Sequence, residues 1–393
     1  MTNMWRSLLL IGAAAASLMQ EPLQARRGHL SLTYDLIAFH KNLTQIESIT
    51  GNEEAVGEWL VASLKSQGYS VERQYVEEKP ARFNILAWPG KERDAKVLLS
   101  AHIDTVPPFY PYEHINNTIR GRGSVDAKGS VATQIIAINR LLSSDKISPD
   151  DVALLYVVGE EKGGDGMRAA NALKLSPETV IFGEPTEGKL AAGHKGNLMV
   201  IVKAKGKAAH SGYPWLGRSA NEVLVKSLAA LMELGQKLPK SDKYGITTLN
   251  LGQIQGGVAP NVVAKDASAD VAVRIAEGSP EFIREEVTRA VHTAVQSFLE
   301  KGMKPEDVVE INFPTSGYGP IEIDHDVPGF DEITVNYGTD IPSLNKTVEG
   351  QKRYLYGPGS ILVAHSDHEM LTEDQLFDAV GGYEKLVLHA LRK

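Results

Sequence analysis

Three short apolar runs, each closed by acids or a histidine, constrain this chain more than any other feature. Val97-Leu-Leu-Ser-Ala101 runs into His102-Ile-Asp104, Val152-Ala-Leu-Leu-Tyr-Val-Val158 into Gly159-Glu160-Glu161, and Thr179-Val-Ile-Phe182 into Gly183-Glu184. Continuous apolar runs of this length suit strands covered on both faces. Helical spacing fills the intervals over Ser130 to Leu142 and Asp165 to Leu173. Strand–helix–strand alternation predicts an α/β fold with a sheet flanked by helices. In an open sheet of that kind, ligands bind beyond the carboxyl ends of the strands. The polar residues are therefore expected to converge although they lie far apart in sequence. The stretch Gly121-Arg-Gly-Ser-Val-Asp126-Ala-Lys-Gly129 adds an acid before a helix, and Ala364-His365-Ser-Asp-His368-Glu369 a late histidine.

The flanking segments fit the same plan. Glu53 to Leu64 has helical spacing and ends at Gly68, and Tyr69 to Val76 and Phe83 to Trp88 alternate as strands. Around Leu198 the texture changes. Leu198 to Val202 is a strand, Ala220 to Leu234 an amphipathic helix, and Thr247 to Gln255 and Ser268 to Ile275 alternating strands. Phe282 to Leu299 is a second helix and Val308 to Phe313 a last strand. The order β-α-β-β-α-β is that of a ferredoxin-like α+β module. We read residues 198–313 as a second domain inserted between two parts, 27–197 and 314–393, of a mixed-sheet domain whose strand ends carry the candidate catalytic residues. Glu332 to Tyr337 is a further strand candidate and Thr372 to Leu391 a closing helix.

Taken singly, these polar residues have ordinary explanations. Asp104 or Asp126 alone would be a turn or cap residue, His102 a core or surface histidine, and Glu160-Glu161 a solvated pair. Their joint placement at strand ends is what carries meaning, because clustered carboxylates in a cleft are unfavourable unless a cation offsets them. The 393-residue chain has no cysteine, so any metal must be held by His, Asp and Glu. Cysteine nucleophiles and disulfides are excluded with it. Gly-x-Ser-x-Gly is absent, which disfavours a serine hydrolase. A net charge of −8 argues against nucleic-acid binding.

The first residues read as an address. Residues 1–25 fit a secretory signal peptide, with Ser7 to Met19 nearly all apolar or small and polarity returning at Gln20. That core is short for a span, which needs about 20 residues, so a secreted protein without a membrane segment is expected. Asn42, Asn116 and Asn345 each begin an N-glycosylation pattern.

Leu99-Ser-Ala-His102-Ile-Asp104-Thr-Val-Pro107, Gly121 to Gly129, Val158-Gly-Glu160-Glu161 and Phe182-Gly-Glu184-Pro185 occur in that order. Together they resemble the co-catalytic zinc hydrolases that include aminoacylase, glutamate carboxypeptidase, acetylornithine deacetylase and succinyl-diaminopimelate desuccinylase. Within that group the chain most resembles secreted fungal carboxypeptidase-like members. The resemblance implies two zinc ions per subunit. His102 and Glu184 would hold one, Glu161 and His365 the other, and Asp126 would bridge them. His365 is preferred to His368 because it stands four residues before Glu369. Asp104 would orient His102, and Glu160 would be the general base. Lys205-Gly-Lys-Ala-Ala-His210-Ser-Gly resembles the lid segment whose histidine reaches an active site, from the partner subunit in dimeric members. Asn261 and Arg274 resemble positions that grip a substrate carboxylate.

The implied activity is metal-assisted amide hydrolysis on a substrate with a free carboxylate. A metallo-carboxypeptidase releasing a C-terminal amino acid and a deacylase acting on N-acyl amino acids perform the same bond chemistry. The expected secretory leader favours the peptidase. A non-catalytic secreted binding protein would be expected to have a damaged ligand set, and here every ligand position is filled.

Overall fold

The computed structural model describes residues 36–392. The leader expected at 1–25 and the first residues of the expected catalytic domain lie outside the described residues.

The three apolar runs form fully buried strands over Val97–His102, Val152–Val157 and Thr179–Gly183. Successive side chains in a strand point to opposite faces, and the sheet uses both. Leu99, Leu154 and Ile181 enter one core, with residues of the helices Glu54–Ser66, Lys128–Ser143 and Glu373–Ala390. Leu98, Leu155 and Val180 enter a second core on the other face, with Met167 and Ala170 of the helix Asp165–Ala170. The sheet has six strands in the order Ser70–Glu78, Ala81–Trp88, Val152–Val157, Val97–His102, Thr179–Gly183, Lys352–Tyr356. The last four run parallel and the first two are antiparallel additions. The carboxyl ends of the parallel strands therefore open on one edge, where His102, Gly159-Glu160-Glu161 and Glu184 emerge.

The inserted module is a separate four-stranded antiparallel sheet. Its order is Thr248–Gly256, Asp266–Ile275, Gly196–Lys205, Val309–Asn312. Helices Ala220–Gly235 and Pro280–Ala294 pack on it and on each other. This core is distinct, built from residues such as Leu198, Val200, Leu224, Leu231, Val271, Ile283 and Val287. The second helix begins earlier than its spacing suggests and ends earlier too. Ser279 accepts the Phe282 N–H as N-cap, Pro280 fills the first turn, and a 3-10 turn over Gln296–Phe298 replaces the last residues expected.

Among the strands that escaped the sequence reading, two matter most to the cleft. Leu190–His194 joins Ile321–Glu322 and Glu332–Val335 in a small sheet where the chain leaves for the module and returns. Lys243 of the module donates to the Ala192 carbonyl oxygen at 2.8 Å, and Tyr244 donates to Glu322 Oε1 at 2.7 Å. Lys352–Tyr356 closes the six-stranded sheet. Among the described residues no helix is long and apolar enough to cross a membrane.

Candidate metal centre and active site

His102 ends its strand with the ring locked. Its Nδ1 meets the Asp104 backbone oxygen at 3.0 Å and the Asp104 carboxylate at 3.5 Å. Nδ1–H is thereby the donor, and Nε2 is left as the ligand atom. Nε2 faces Asp126 Oδ1 at 2.9 Å and Glu184 Oε1 at 3.7 Å. His365 reaches the same acid from the other side. Its Nε2 is 3.3 Å from Asp126 Oδ2 and 2.9 Å from Glu161 Oε2. Each oxygen of Asp126 thus faces one imidazole, which is the arrangement a bridging carboxylate requires. The Asp126–Ala127 peptide is cis. His368 is exposed and its Nδ1 lies 2.8 Å from Asp367, so it belongs to the surface.

The Glu160-Glu161 loop leaves its strand through Gly159, whose φ of +74° falls in the left-handed region that glycine tolerates. Asp104 holds this loop by its backbone. Its Oδ1 accepts the Glu160 N–H at 3.1 Å, and its Oδ2 accepts the Glu161 N–H at 3.2 Å and the Thr50 hydroxyl at 2.7 Å. The role expected for Asp104 was to steady one imidazole. The structure adds that it ties the expected base and a ligand to that imidazole through one buried carboxylate. Beneath the loop, Arg82 makes a bidentate pair with buried Glu53 at 2.9 and 2.8 Å and a further bond to Asp165 at 2.8 Å.

The ionisation pattern is one that a bound cation would stabilise. Burial raises Glu160, Glu161 and Glu184 above the ordinary carboxylate range, and neighbouring carboxylates add to the rise against the pull of His102. Burial would raise Asp126 too, but hydrogen bonds with His102 and His365 outweigh it and hold it low. Hydrogen bonds with Asp126 and Glu161 raise His365 to about 10. Among the described residues, Asp126, Glu161 and Glu184 have ion pairs only with the two histidines and none with lysine or arginine. Two overlapping sets, His102–Asp126–Glu161 and His102–Glu160–Glu184, offer ligand atoms within 4.8 Å of one another. Nitrogen and carboxylate donors of this kind suit divalent cations.

The lid residues fall into two places. His210 is exposed and pairs with Val262 in a bridge, next to Asn261, whose carbonyl accepts the Ser211 N–H at 3.0 Å. No hydrogen bond or ion pair among the described residues joins His210 or Asn261 to the histidine–carboxylate cluster. Arg274 lies elsewhere. A methyl group at Gly338 would meet its Nη1 at 3.2 Å and would overlap the Tyr318 hydroxyl. The Arg274 guanidinium makes no hydrogen bond or ion pair among the described residues, its backbone being paired in the lid sheet. Burial raises the Tyr318 hydroxyl, Arg274 pulls it back, and Glu160 and Asp340 push it up again. Tyr318 is therefore near enough to feel both the arginine and the expected base.

Three residues of this wall were missed by the sequence reading. Tyr318 stacks edge-on with His194 at 5.9 Å. His194 is buried, its Nδ1 bound to the Lys195 carbonyl oxygen at 2.7 Å and its Nε2 to Thr339 at 3.0 Å. Burial lowers it to about 4, so it is neutral. Asp340 is 5% exposed, and burial raises its carboxyl to about 7. Asp340 follows the strand Glu332–Val335 by five residues, so the strand-end rule that found Glu160 and Glu184 could have found it.

Comparison with known proteins agrees with this arrangement. The profile of the M20 peptidase dimerisation domain matches residues 192–303, most of the inserted module, and that of peptidase family M28 matches residues 84–180. A probable carboxypeptidase of Aspergillus flavus is 47% identical over 386 residues, covering 91% of this chain and 88% of that protein. The chain belongs to the M20 family of metallopeptidases. A second M20 relative, a probable carboxypeptidase of Neosartorya fischeri, is 48% identical over 391 residues, covering 91% of this chain and 86% of its own. Among solved structures, a tripeptidase of Staphylococcus aureus superposes with a TM-score of 0.73 at 21% identity, covering 92% of this chain and 99% of that one. An M20 metallo-carboxypeptidase of Sulfolobus solfataricus superposes with a TM-score of 0.69 at 17% identity, covering 91% and 99%. This M20 chain is therefore a peptidase hydrolase of a metal-dependent family, with a catalytic domain and a dimerisation lid.

Proposed function

We propose that this M20 peptidase is a secreted carboxypeptidase that uses two zinc ions to remove the C-terminal amino acid of a peptide. His102 and Glu184 would hold one ion, Glu161 and His365 the other, and Asp126 both. Bound there, the metals would supply Lewis-acid polarisation of a carbonyl and lower the pKa of water. Glu160 takes a proton from the attacking water and returns it to the nitrogen of the leaving amino acid. The observation that carries the carboxypeptidase reading is Arg274. It is a half-buried guanidinium with no side-chain partner among the described residues, next to Tyr318, whose hydroxyl feels both Arg274 and Glu160. A guanidinium in that position matches a carboxylate in a bidentate way. The test is turnover of peptides with free and amidated C-termini, compared with N-acetyl amino acids. Hydrolysis restricted to N-acetyl amino acids would replace the peptidase with a deacylase.

His210 is suited to act on a second copy of the chain. The Gly212 N–H donates to its Nδ1 at 3.0 Å. That bond makes Nδ1 the acceptor, so the neutral ring carries its proton on Nε2, ready to donate to an oxyanion. The same lid has an unpaired edge strand, Thr248–Gly256, with Ile254 60% exposed, and its helix exposes Val225 at 65% and Met232 at 56%. An open edge beside apolar side chains is a pairing surface. We infer a homodimer in which each lid presents His210, and Asn261 beside it, to the partner's cleft. Ile254→Lys with Val225→Glu is expected to yield a folded monomer with greatly reduced activity, read by sedimentation velocity and peptide turnover. A fully active monomer would reject the shared site.

The expected leader supports secretion, and Asn42, Asn116 and Asn345 are all exposed. Asn116 sits at the tip of a hairpin between Glu113–Ile115 and Thr118–Arg120, an accessible place for a glycan.

A further inference from the structure

The early glycine-rich motif and the late histidine motif meet at a carboxylate that the proposed reaction does not use. Glu369 is 3% exposed and its partner Arg122 is 2% exposed. Glu369 Oε2 accepts from Arg122 Nη1 at 2.7 Å. Its Oε1 accepts the backbone N–H of Val125 at 3.0 Å and of Asp126 at 3.2 Å. The two segments also meet through their backbones. The Gly121 N–H donates to the Glu369 carbonyl oxygen at 3.3 Å, and Met370 pairs with Arg120. Arg122 is fixed in turn, its Nε donating to the Pro108 carbonyl oxygen at 3.2 Å and its guanidinium 5.1 Å from the Tyr110 ring.

One buried carboxylate thus grips the amide of Asp126, the acid that faces both imidazoles, and stands four residues after His365. A buried ion pair is a weak source of stability, because desolvation offsets much of the attraction. Its geometry here does something an apolar pair cannot. It joins segments 243 residues apart in sequence at the two positions where metal ligands must meet. We propose that Glu369, held by Arg122, is a positioning residue that sets His365 and Asp126 in register for the metal ion bound with Glu161. The inference rests on the metal-peptidase reading above.

The test is a zinc titration of the full chain in competition with a chromophoric chelator, with circular dichroism as the measure of folding. Glu369→Gln keeps the length of the side chain but turns an NH2 group toward either Arg122 or the two amides. It is expected to weaken, by about 10–100-fold, the same metal equivalent that His365→Ala weakens, and to weaken the other, which shares only Asp126, distinctly less. A role in folding alone would not single out that equivalent. Unchanged affinities in a folded variant, or equal losses at both equivalents, would overturn the proposal. Should the glutamine variant fail to fold, Glu369→Asp withdraws the carboxylate while keeping its charge, and is read by the same titration. A wild-type chain that takes up no zinc defeats the metal reading itself, whereas uptake by wild type with no effect at Glu369 defeats only the clamp.

Discussion

Replacing Glu160 by alanine is expected to lower kcat by about 10²–10⁴-fold while metal content and fold stay intact. The reason lies in how the loop is built. Glu160 and Glu161 are neighbours in sequence with different surroundings. The Glu161 carboxylate lies 2.9 Å from His365 Nε2, whereas the Glu160 carboxylate makes no ion pair among the described residues. The loop itself is held by backbone amides donated to Asp104, so removing the Glu160 side chain leaves its anchor in place. Burial and the nearby acids Asp340, Glu161 and Asp126 raise the Glu160 carboxyl well above the usual range. A carboxylate of raised pKa holds a proton more firmly, as an acceptor that must later return it should. Glu160→Gln serves as the shape-matched control and should lose comparable turnover. Steady-state kinetics with metal analysis of the same preparation checks the result. Full turnover in a metal-loaded Glu160→Ala protein would remove Glu160 from the reaction.

The legible part of this protein was the part written in continuous apolar runs. The strands ending at His102, Val157 and Gly183 could be read because burial on both faces demands unbroken apolar sequence. The acids at their ends stood out against it. Lys352–Tyr356 could not be read the same way. It opens with Lys352 and Arg353, yet Arg353 is 7% exposed, satisfied by Gln351 and by the Ile341 carbonyl oxygen. A charge made tolerable by hydrogen bonds to a side chain and a carbonyl leaves no periodic trace. The same holds for the wall formed by His194, Tyr318 and Asp340, which comes from a short strand and two loops around the lid insertion. His365 and His368 are three residues apart, and composition does not separate them. What separates them is a backbone φ of +62° at His365, which aims that ring at Asp126 and Glu161. The anchoring of the Glu160 loop was invisible for another reason, because its donors are backbone amides that every residue carries.

Arg274→Ala is expected to lower kcat/KM about 10–160-fold on peptides with a free C-terminus, mainly through KM. Hydrogen bonds to a charged group contribute about 1.5–3 kcal/mol, and about 1.36 kcal/mol corresponds to a factor of ten. The arginine is half-buried, so a screened value near the lower end is the more natural outcome. A carboxylate remote from the scissile bond is held equally in the ground and transition states, which places the loss in KM rather than kcat. Folding should be spared, since Arg274 has no partner among the described residues to leave behind. Arg274→Lys should recover only part of the loss, because an ammonium cannot reproduce the paired donors of a guanidinium. The decisive comparison crosses the variant with the substrate. Wild-type enzyme should lose a similar factor when the peptide is amidated, and Arg274→Ala should lose nothing further on that amidated peptide. Such non-additivity is the signature of two groups that act on each other. If the variant and the amidation instead multiply, the carboxylate is held by another residue and Arg274 contributes only to the general charge of the cleft.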